Sequence, residues 1–415
     1  MLSWAASGEN VGFVKYLLKR KDVNPNLADK DGRTPLWWAT ANGSQEIIEL
    51  LLERADADPN LACKDGRTPL SLAAETPLGR GVVQLLLEHP AVDPNLADNN
   101  GLTPLSWAAQ TPWGREAVQL LLEHPVIDSN LADKNGQTPL SLAAESPLGW
   151  GAVQLLLERA DVASNLADKG SQIPLLLAAE KPWGLEAVQL LIERPDVDPN
   201  LANKNGQTPL LLAMAKGSQE VVQLLLERSD VNPNLTGKDG ISPLLLAVSK
   251  GCREVVQLLL QRSDVNPNLA EKDGQTPLLL AVVSEGQEEV RLLLERADIN
   301  PMADKYGRAP LWFTAAKGNQ KIVQILLERA YVDPNLTDKD WQTPLLLAVV
   351  SGNQKIVQLL LKRADVNPSI ADINGLTPLK WATKRGHRSM VWRLLVYRPR
   401  RILAAARRLG RHDHV

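Results

Sequence analysis

Residues 133–159, DKNGQTPLSLAAESPLGWGAVQLLLER, decide the fold. They hold a polar turn, a short apolar segment, a joint and a second apolar segment. Thr138 is a good N-cap, because its hydroxyl can accept from a backbone N–H that the start of a helix leaves unpaired. Pro139 suits the first helical position, where its missing N–H costs nothing. Leu140, Ala143 and Ala144 then make a short helix with small residues for close packing, and Gly149 is expected to break it. The second helix carries Val153, Leu156 and Leu157 at helical spacing and ends in Arg159, a cation expected at the negative end of its helix dipole. The Asp/Asn/Lys-rich run with Gly136 is too full of turn formers to stay helical and reads as a hairpin turn.

The same unit returns throughout the chain. Aligning on the Thr-Pro-Leu step places prolines at 35, 69, 104, 139, 174, 209, 243, 277, 310, 344 and 378, spaced by 33 to 35 residues. One helix pair cannot hide its own apolar face, so neighbouring copies must stack. Residues 2–20, LSWAASGENVGFVKYLLKR, add a copy that lacks its turn and its Thr-Pro, which predicts about twelve pairs. With helices about 10 Å thick, such a stack runs on the order of 100 Å and offers a long concave surface in place of a pocket. The missing front half of the first copy suggests a truncated product or a fragment of a longer protein.

The T-P-L-x-x-A-A … V-x-L-L-L pattern with its D-x-x-G turn resembles the ankyrin repeat, slightly lengthened by D/N-P-N-L before the turn, and is similar to tandem arrays common in fungal proteins. The resemblance covers about residues 1–398. It implies an all-α ankyrin-repeat solenoid with protruding hairpin turns: a truncated first repeat and hairpin at 1–33, an array at 34–398 with repeats starting near 34, 68, 103, 138, 173, 208, 242, 276, 309, 343 and 377, and an Arg-rich tail at 399–415. The family's usual His after T-P-L is absent. Trp37, Ser71, Ser106, Ser141, Leu176, Leu211, Leu245, Leu279, Trp312, Leu346 and Lys380 stand there instead, and the apolar ones are expected to bury themselves in the stack.

Composition narrows the chemistry. Hydrophobic residues make up 44% of the 415 but aromatics only 4%, so the core must be aliphatic. Cys63 and Cys252 are far apart, which offers neither a disulfide framework nor a zinc knuckle and points to a reducing compartment, hence an intracellular protein, cytoplasmic or nuclear. No apolar run approaches the roughly 18 residues of a membrane span, and no membrane partner is expected. No G-x-x-x-x-G-K-[ST] occurs, so a nucleotide-binding domain is missing. His89 and His124 close second helices, where a cation near the dipole is the plain explanation, and His412-Asp413-His414 is a weak metal candidate. Cys63 is expected to be an ordinary exposed thiol. These readings leave no catalytic residue, cofactor or metal, and the chain is expected to be no enzyme.

Recognition remains. Lys30, Lys64, Lys134, Lys169, Lys204, Lys238, Lys272, Lys305 and Lys339 recur at the turn tips, but acids flank most of them and their fields are expected to cancel. Specificity should sit where copies differ. Leu102, Ile241, Tyr306, Trp341, Ile373 and Leu376 put apolar groups on otherwise polar turns, and Trp and Tyr are common interface anchors. Trp341 replaces the turn glycine, so its turn is expected to bend differently. In repeats two to five the joint is longer (ETPLGRG, QTPWGRE, ESPLGWG, KPWGLE), which aligns Leu78, Trp113, Leu148 and Trp183, with Trp150 beside them. The preferred reading is a hydrophobic staple over the helix starts, with an exposed contact ridge as the alternative and Trp113 and Trp183 as its anchors.

From Lys384 onward ten Lys/Arg face one acid, Asp413, a charge of +9 that leaves about −11 on residues 1–383. Residues 400–409 can form a short amphipathic helix that caps the stack. The tail, with Arg398, Arg400, Arg401, Arg407, Arg408 and Arg411, can also serve nuclear import or nucleic-acid contact, the one route by which nucleic acid is expected. The function expected is a monomeric, non-catalytic scaffold binding a protein partner on its concave and hairpin surface. The alternatives are a regulatory protein, such as a transcription coregulator with a nuclear-directing tail, and a detached ligand-sensing array of an NTPase-type receptor.

Overall fold

The computed structural model describes residues 1–397 except Leu78 and Met302. Leu78, the tail arginines Arg398, Arg400, Arg401, Arg407, Arg408 and Arg411, the expected 400–409 helix and His412-Asp413-His414 thus lie outside the described residues. Those described are helices and turns with no strand, arranged as two compact units, Met1–Val231 and Asn232–Val415. The first holds seven helix pairs, from Leu2–Ser7 with Val11–Leu18 to Pro209–Lys216 with Gln219–Glu227. The second begins with Pro243–Ser249 and Arg253–Gln261, and its fifth pair joins Pro378–Lys384 to a helix at 388–397. Within each unit, successive first helices pack side by side, as Pro69–Glu75 does on Pro104–Gln110, and successive second helices do the same. This is an all-α ankyrin-type solenoid.

Every Pro-initiated helix starts where its chemistry predicts. The Thr138 hydroxyl accepts from the Ser141 N–H at 3.2 Å, and Thr34, Thr68, Thr103, Thr208, Thr276, Thr343 and Thr377 cap in the same way. Ile173 and Ala309 stand at this position without a side-chain bond. Leu140, Ala143 and Ala144 are buried, as are Val153 and Leu156. Each fully buried Leu or Val contributes about 1.5–3 kcal/mol, and similar sets recur along the array. At the position of the absent His, the five leucines are buried. Ser71, Ser106 and Ser141 are buried against their threonine caps, Trp37 and Trp312 are half-buried, and Lys380 is exposed.

The joint differs from expectation. Gly149 does not break the helix, which already ends at Glu145 with Ser146 extended at ψ 137. Pro147 is the cause, since a proline forces its predecessor out of the helical region. Thr76, Thr111 and Lys181, each also before a proline, are extended likewise. Gly149 is needed for a different reason: a Cβ there would lie 2.0 Å from the Ala143 carbonyl oxygen. Gly79, Gly114 and Gly184 approach the Ala73, Ala108 and Ala178 carbonyls equally closely.

Within each unit two sets of side chains tie copies to their neighbours, and neither is plain from periodicity. The asparagine of the P-N-L or S-N-L turns reaches into the following repeat: Asn130 donates to the Asp161 carbonyl at 2.7 Å and accepts from the Ala163 N–H at 2.8 Å. Asn60, Asn95 and Asn165 repeat this in the first unit, and Asn234, Asn268 and Asn335 in the second. Arg159 also looks outward. It serves not its own helix end but the Leu122 carbonyl of the preceding repeat, at 2.7 Å, while Asp161 holds its guanidinium at 2.8 Å. Arg54, Arg194 and Arg228 do the same in the first unit, Arg296 and Arg363 in the second. The arginine's hydrogen bond holds Asp56, Asp161, Asp196, Asp264 and Asp298 below the ordinary carboxylate value. His89 and His124 replace this arginine, and the His89 Nδ1 accepts from the Ala91 N–H at 3.3 Å. The His124 Nδ1 is buried without a partner. At Arg329 the Asp is replaced by Tyr331, and the Arg329 Nε is buried without a partner.

Candidate docking surfaces

A single aspartate organises most turn tips, with Asn203 in the same role in one copy and Cys63, Gly237 and Glu271 at this place in three others. Asp133 Oδ1 accepts the N–H groups of Asn135 and Gln137, both at 2.8 Å, and its backbone closes the turn to Gln137 and Gly136. The turn therefore protrudes without strand pairing. Neighbouring tips are joined through the backbone: Lys134 N–H donates to the Asn100 carbonyl and Lys169 N–H to that of Asn135, each at 2.8 Å, while Lys339 N–H donates to the Tyr306 carbonyl at 3.1 Å. A row of tips results within each unit. Its lysines are partly neutralised from the side, with Lys272 paired to Asp239 and Lys305 to Asp273.

The six apolar tip residues separate into two groups. Tyr306, Trp341 and Ile373 are exposed and occupy three consecutive tips of the second unit, the last joined through its N–H to the Asp340 carbonyl at 3.0 Å. Leu102, Ile241 and Leu376 are half-buried just before the helix cap. In the Leu102 and Leu376 copies the free carboxylate oxygen of the turn aspartate goes to an indole. Trp107 donates to Asp98 at 3.2 Å and Trp381 to Asp372 at 2.7 Å. Where arginine takes that place, as Arg33 or Arg308, it pairs with the aspartate itself. Leu102 and Leu376 thus go with a local exchange of hydrogen-bond partner inside the turn.

Trp341 does not bend its turn differently. It adopts φ +63, the left-handed conformation that Gly307 (+83) and Gly375 (+70) adopt at the same place. Asp338 holds it there by accepting from the Asp340 and Gln342 N–H groups at 3.0 and 2.8 Å, and the Trp341 N–H closes the turn onto the Asp338 carbonyl at 3.1 Å. A bulky residue at positive φ is a true outlier. Its indole is 60% exposed, so core packing does not explain it. Tyr306 is set among cations, with Arg308, Lys305 and Lys339 at 4.7, 5.3 and 5.5 Å from its ring centre.

The first unit carries a second apolar surface. Trp113 is 61% exposed, and Leu148, Trp150 and Trp183 are exposed with it, as are Pro112, Pro147 and Pro182. The staple reading is therefore wrong for these residues. Leu148, Trp113 and Trp183 follow the joint prolines and Trp150 opens its helix, and all four side chains stand exposed. Trp183 donates its indole N–H to the Glu145 carbonyl of the preceding repeat at 3.3 Å, and Arg115 lies 5.9 Å from the Trp150 ring centre.

The terminal copies carry exposed apolar side chains too. Trp4, Tyr16, Trp392 and Leu395 are all exposed there, and the signal available was their place at the ends of the run of repeats. Among the described residues no group of three or more His, Cys, Asp or Glu is arranged to hold a metal, and both cysteines are free and half-buried. No described helix is long and apolar enough to cross a membrane.

The family model for ankyrin repeats (3 copies) matches the chain over residues 2–98, 79–168, 175–270, 262–338 and 330–402. No curated protein sequence matches it. Capped helix pairs, row-forming turns and a family match running from residue 2 to 402 agree, and the chain belongs to the ankyrin-repeat family.

Proposed function

We propose that the protein is a non-catalytic, monomeric scaffold that works inside the cell, in cytoplasm or nucleus, and docks a protein partner on the tip row of its second unit through Trp341, Tyr306 and Ile373. Ankyrin repeats generally mediate contacts between proteins, and the family is typically non-catalytic. The observation that carries the choice of site is Trp341: a left-handed turn position open to glycine is given to an exposed tryptophan. Strain of this kind costs on the order of 1–3 kcal/mol and clusters at ligand clamps. A preformed row of tips loses little freedom on docking, so a few anchors suffice. The Trp113, Leu148, Trp150 and Trp183 ridge is a second contact surface in this reading, and the division into a short first repeat, an array and a basic tail belongs to it as well.

Trp341→Gly separates the site from the fold. Affinity capture with the wild type and this variant should show at least one partner reduced about tenfold or more, the loss expected for a hot-spot aromatic. Helical circular dichroism should be unchanged. Identical partner sets would remove Trp341 from the surface, and loss of the fold would refute its description as an exposed turn residue.

A further inference from the structure

The last helix pair is more cationic than the pair before it, whose residues 343–363 also lack Asp and Glu but carry only Lys355, Lys362 and Arg363. Residues 377–397 contain Lys380, Lys384, Arg385, Arg388 and Arg393 and no Asp or Glu. All five are exposed, and none forms an ion pair among the described residues. Lys384 and Arg385 lie 5.1 and 5.8 Å from the Trp381 ring centre, Lys380 donates to the Gly375 carbonyl at 3.2 Å, and Lys384 acts on Asp372 of the preceding turn from beyond pairing distance. The 388–397 helix turns Met390 and Leu394 inward and presents Arg388, Trp392 and Leu395, at i, i+4 and i+7, along one outer stripe. Trp392 is 66% exposed and Leu395 50%. One repeat earlier the first two places are Gln354 and Gln358.

We propose that this helix pair is a docking face for the surface of an anionic lipid bilayer. Its charge is complementary to such a surface, and each Lys or Arg near one strengthens binding about five-fold. The apolar part decides between polyanions. Nucleic acid bound through its phosphates uses the cations but has no use for an exposed leucine, whereas a bilayer takes the cations at its headgroups and Trp and Leu at the boundary below them. Residues 398–415 continue the composition, with six arginines, one aspartate, and Ile402, Leu403 and Leu409 among them. The expectation of no membrane partner rests on the lack of a spanning run, and that bears on crossing, not on surface attachment. The face uses none of Tyr306, Trp341 and Ile373, so this inference goes beyond the proposed function.

The test is co-sedimentation of the full chain with vesicles of phosphatidylcholine mixed with phosphatidylserine, beside vesicles of phosphatidylcholine alone and a duplex DNA in a parallel assay. Binding to the mixed vesicles only, weakened by salt, is expected. Neutralising two exposed cations, Arg388→Gln with Arg393→Gln, should weaken it about 25-fold. Trp392→Ala should weaken it several-fold more than it changes DNA binding, and Trp341→Gly should leave it unaltered. Circular dichroism checks that each exposed substitution leaves the helices intact. The proposal is overturned if the wild type ignores mixed vesicles, if it binds DNA and not vesicles, or if folded Arg388/Arg393 and Trp392 variants bind vesicles like the wild type.

Discussion

Trp341 and Gly149 show how far a residue's identity can be read without its surroundings. Replacing glycine by tryptophan in a tight turn predicts a different turn. Yet Asp338 and the backbone of its neighbours over-determine the bend, and the residue takes a conformation it disfavours at φ +63. Trp341→Gly should therefore stabilise the protein, by about 1 kcal/mol or more, seen as a higher urea midpoint. Gly149 gives the opposite case. Its backbone angles suit any residue, at φ −78 and ψ −9, but the Ala143 carbonyl leaves no room for a Cβ. Gly149→Ala should cost about 1–3 kcal/mol, the usual penalty of overpacking. A glycine at a joint is legible in sequence; whether it serves conformation or close approach is not, because the second depends on an atom six residues away.

At the scale of helices and turns, the caps, the apolar periodicity and the turn glycines were all legible, since each depends on residues within one turn of one another. The Asn and Arg–Asp ties were not. Their partners lie about one repeat away, as from Asn130 to Asp161 or Arg159 to Leu122. Tyr331 marks the place where one tie is lost. Tyr331→Asp should restore the grip on Arg329 and raise the urea midpoint by an amount equivalent to about 0.5–1 kcal/mol, the range of a partly exposed pair. The ties also set a pH dependence. The carboxylates Asp56, Asp161, Asp196, Asp264 and Asp298 are held below their ordinary 3.8 when folded, so their contribution is complete above that value. It is lost as pH falls through the lowered values. Urea midpoints should change little between neutral pH and about pH 5 from this cause and fall below about pH 4, less steeply in Asp298→Asn.

For the whole molecule the period revealed most of the fold, because a copy that cannot bury its own face dictates stacking. The candidate site was legible only in outline. Exposed Tyr306, Trp341 and Ile373 and half-buried Leu102, Ile241 and Leu376 look alike in sequence, and burial separates them only once neighbouring tips are in place. In the reading proposed above, each repeat is a self-similar unit tied to its neighbours, and the few tips that differ carry recognition. Deleting one complete unit of the second stack, Gly240 to Asp273, tests this most directly, because Asp239 then meets Gly274 in register and Tyr306, Trp341 and Ile373 remain. Circular dichroism of the shortened chain should show helical signal per residue almost unchanged, with a single modest loss of stability. Global unfolding, or helix content falling well beyond the share removed, would contradict the account.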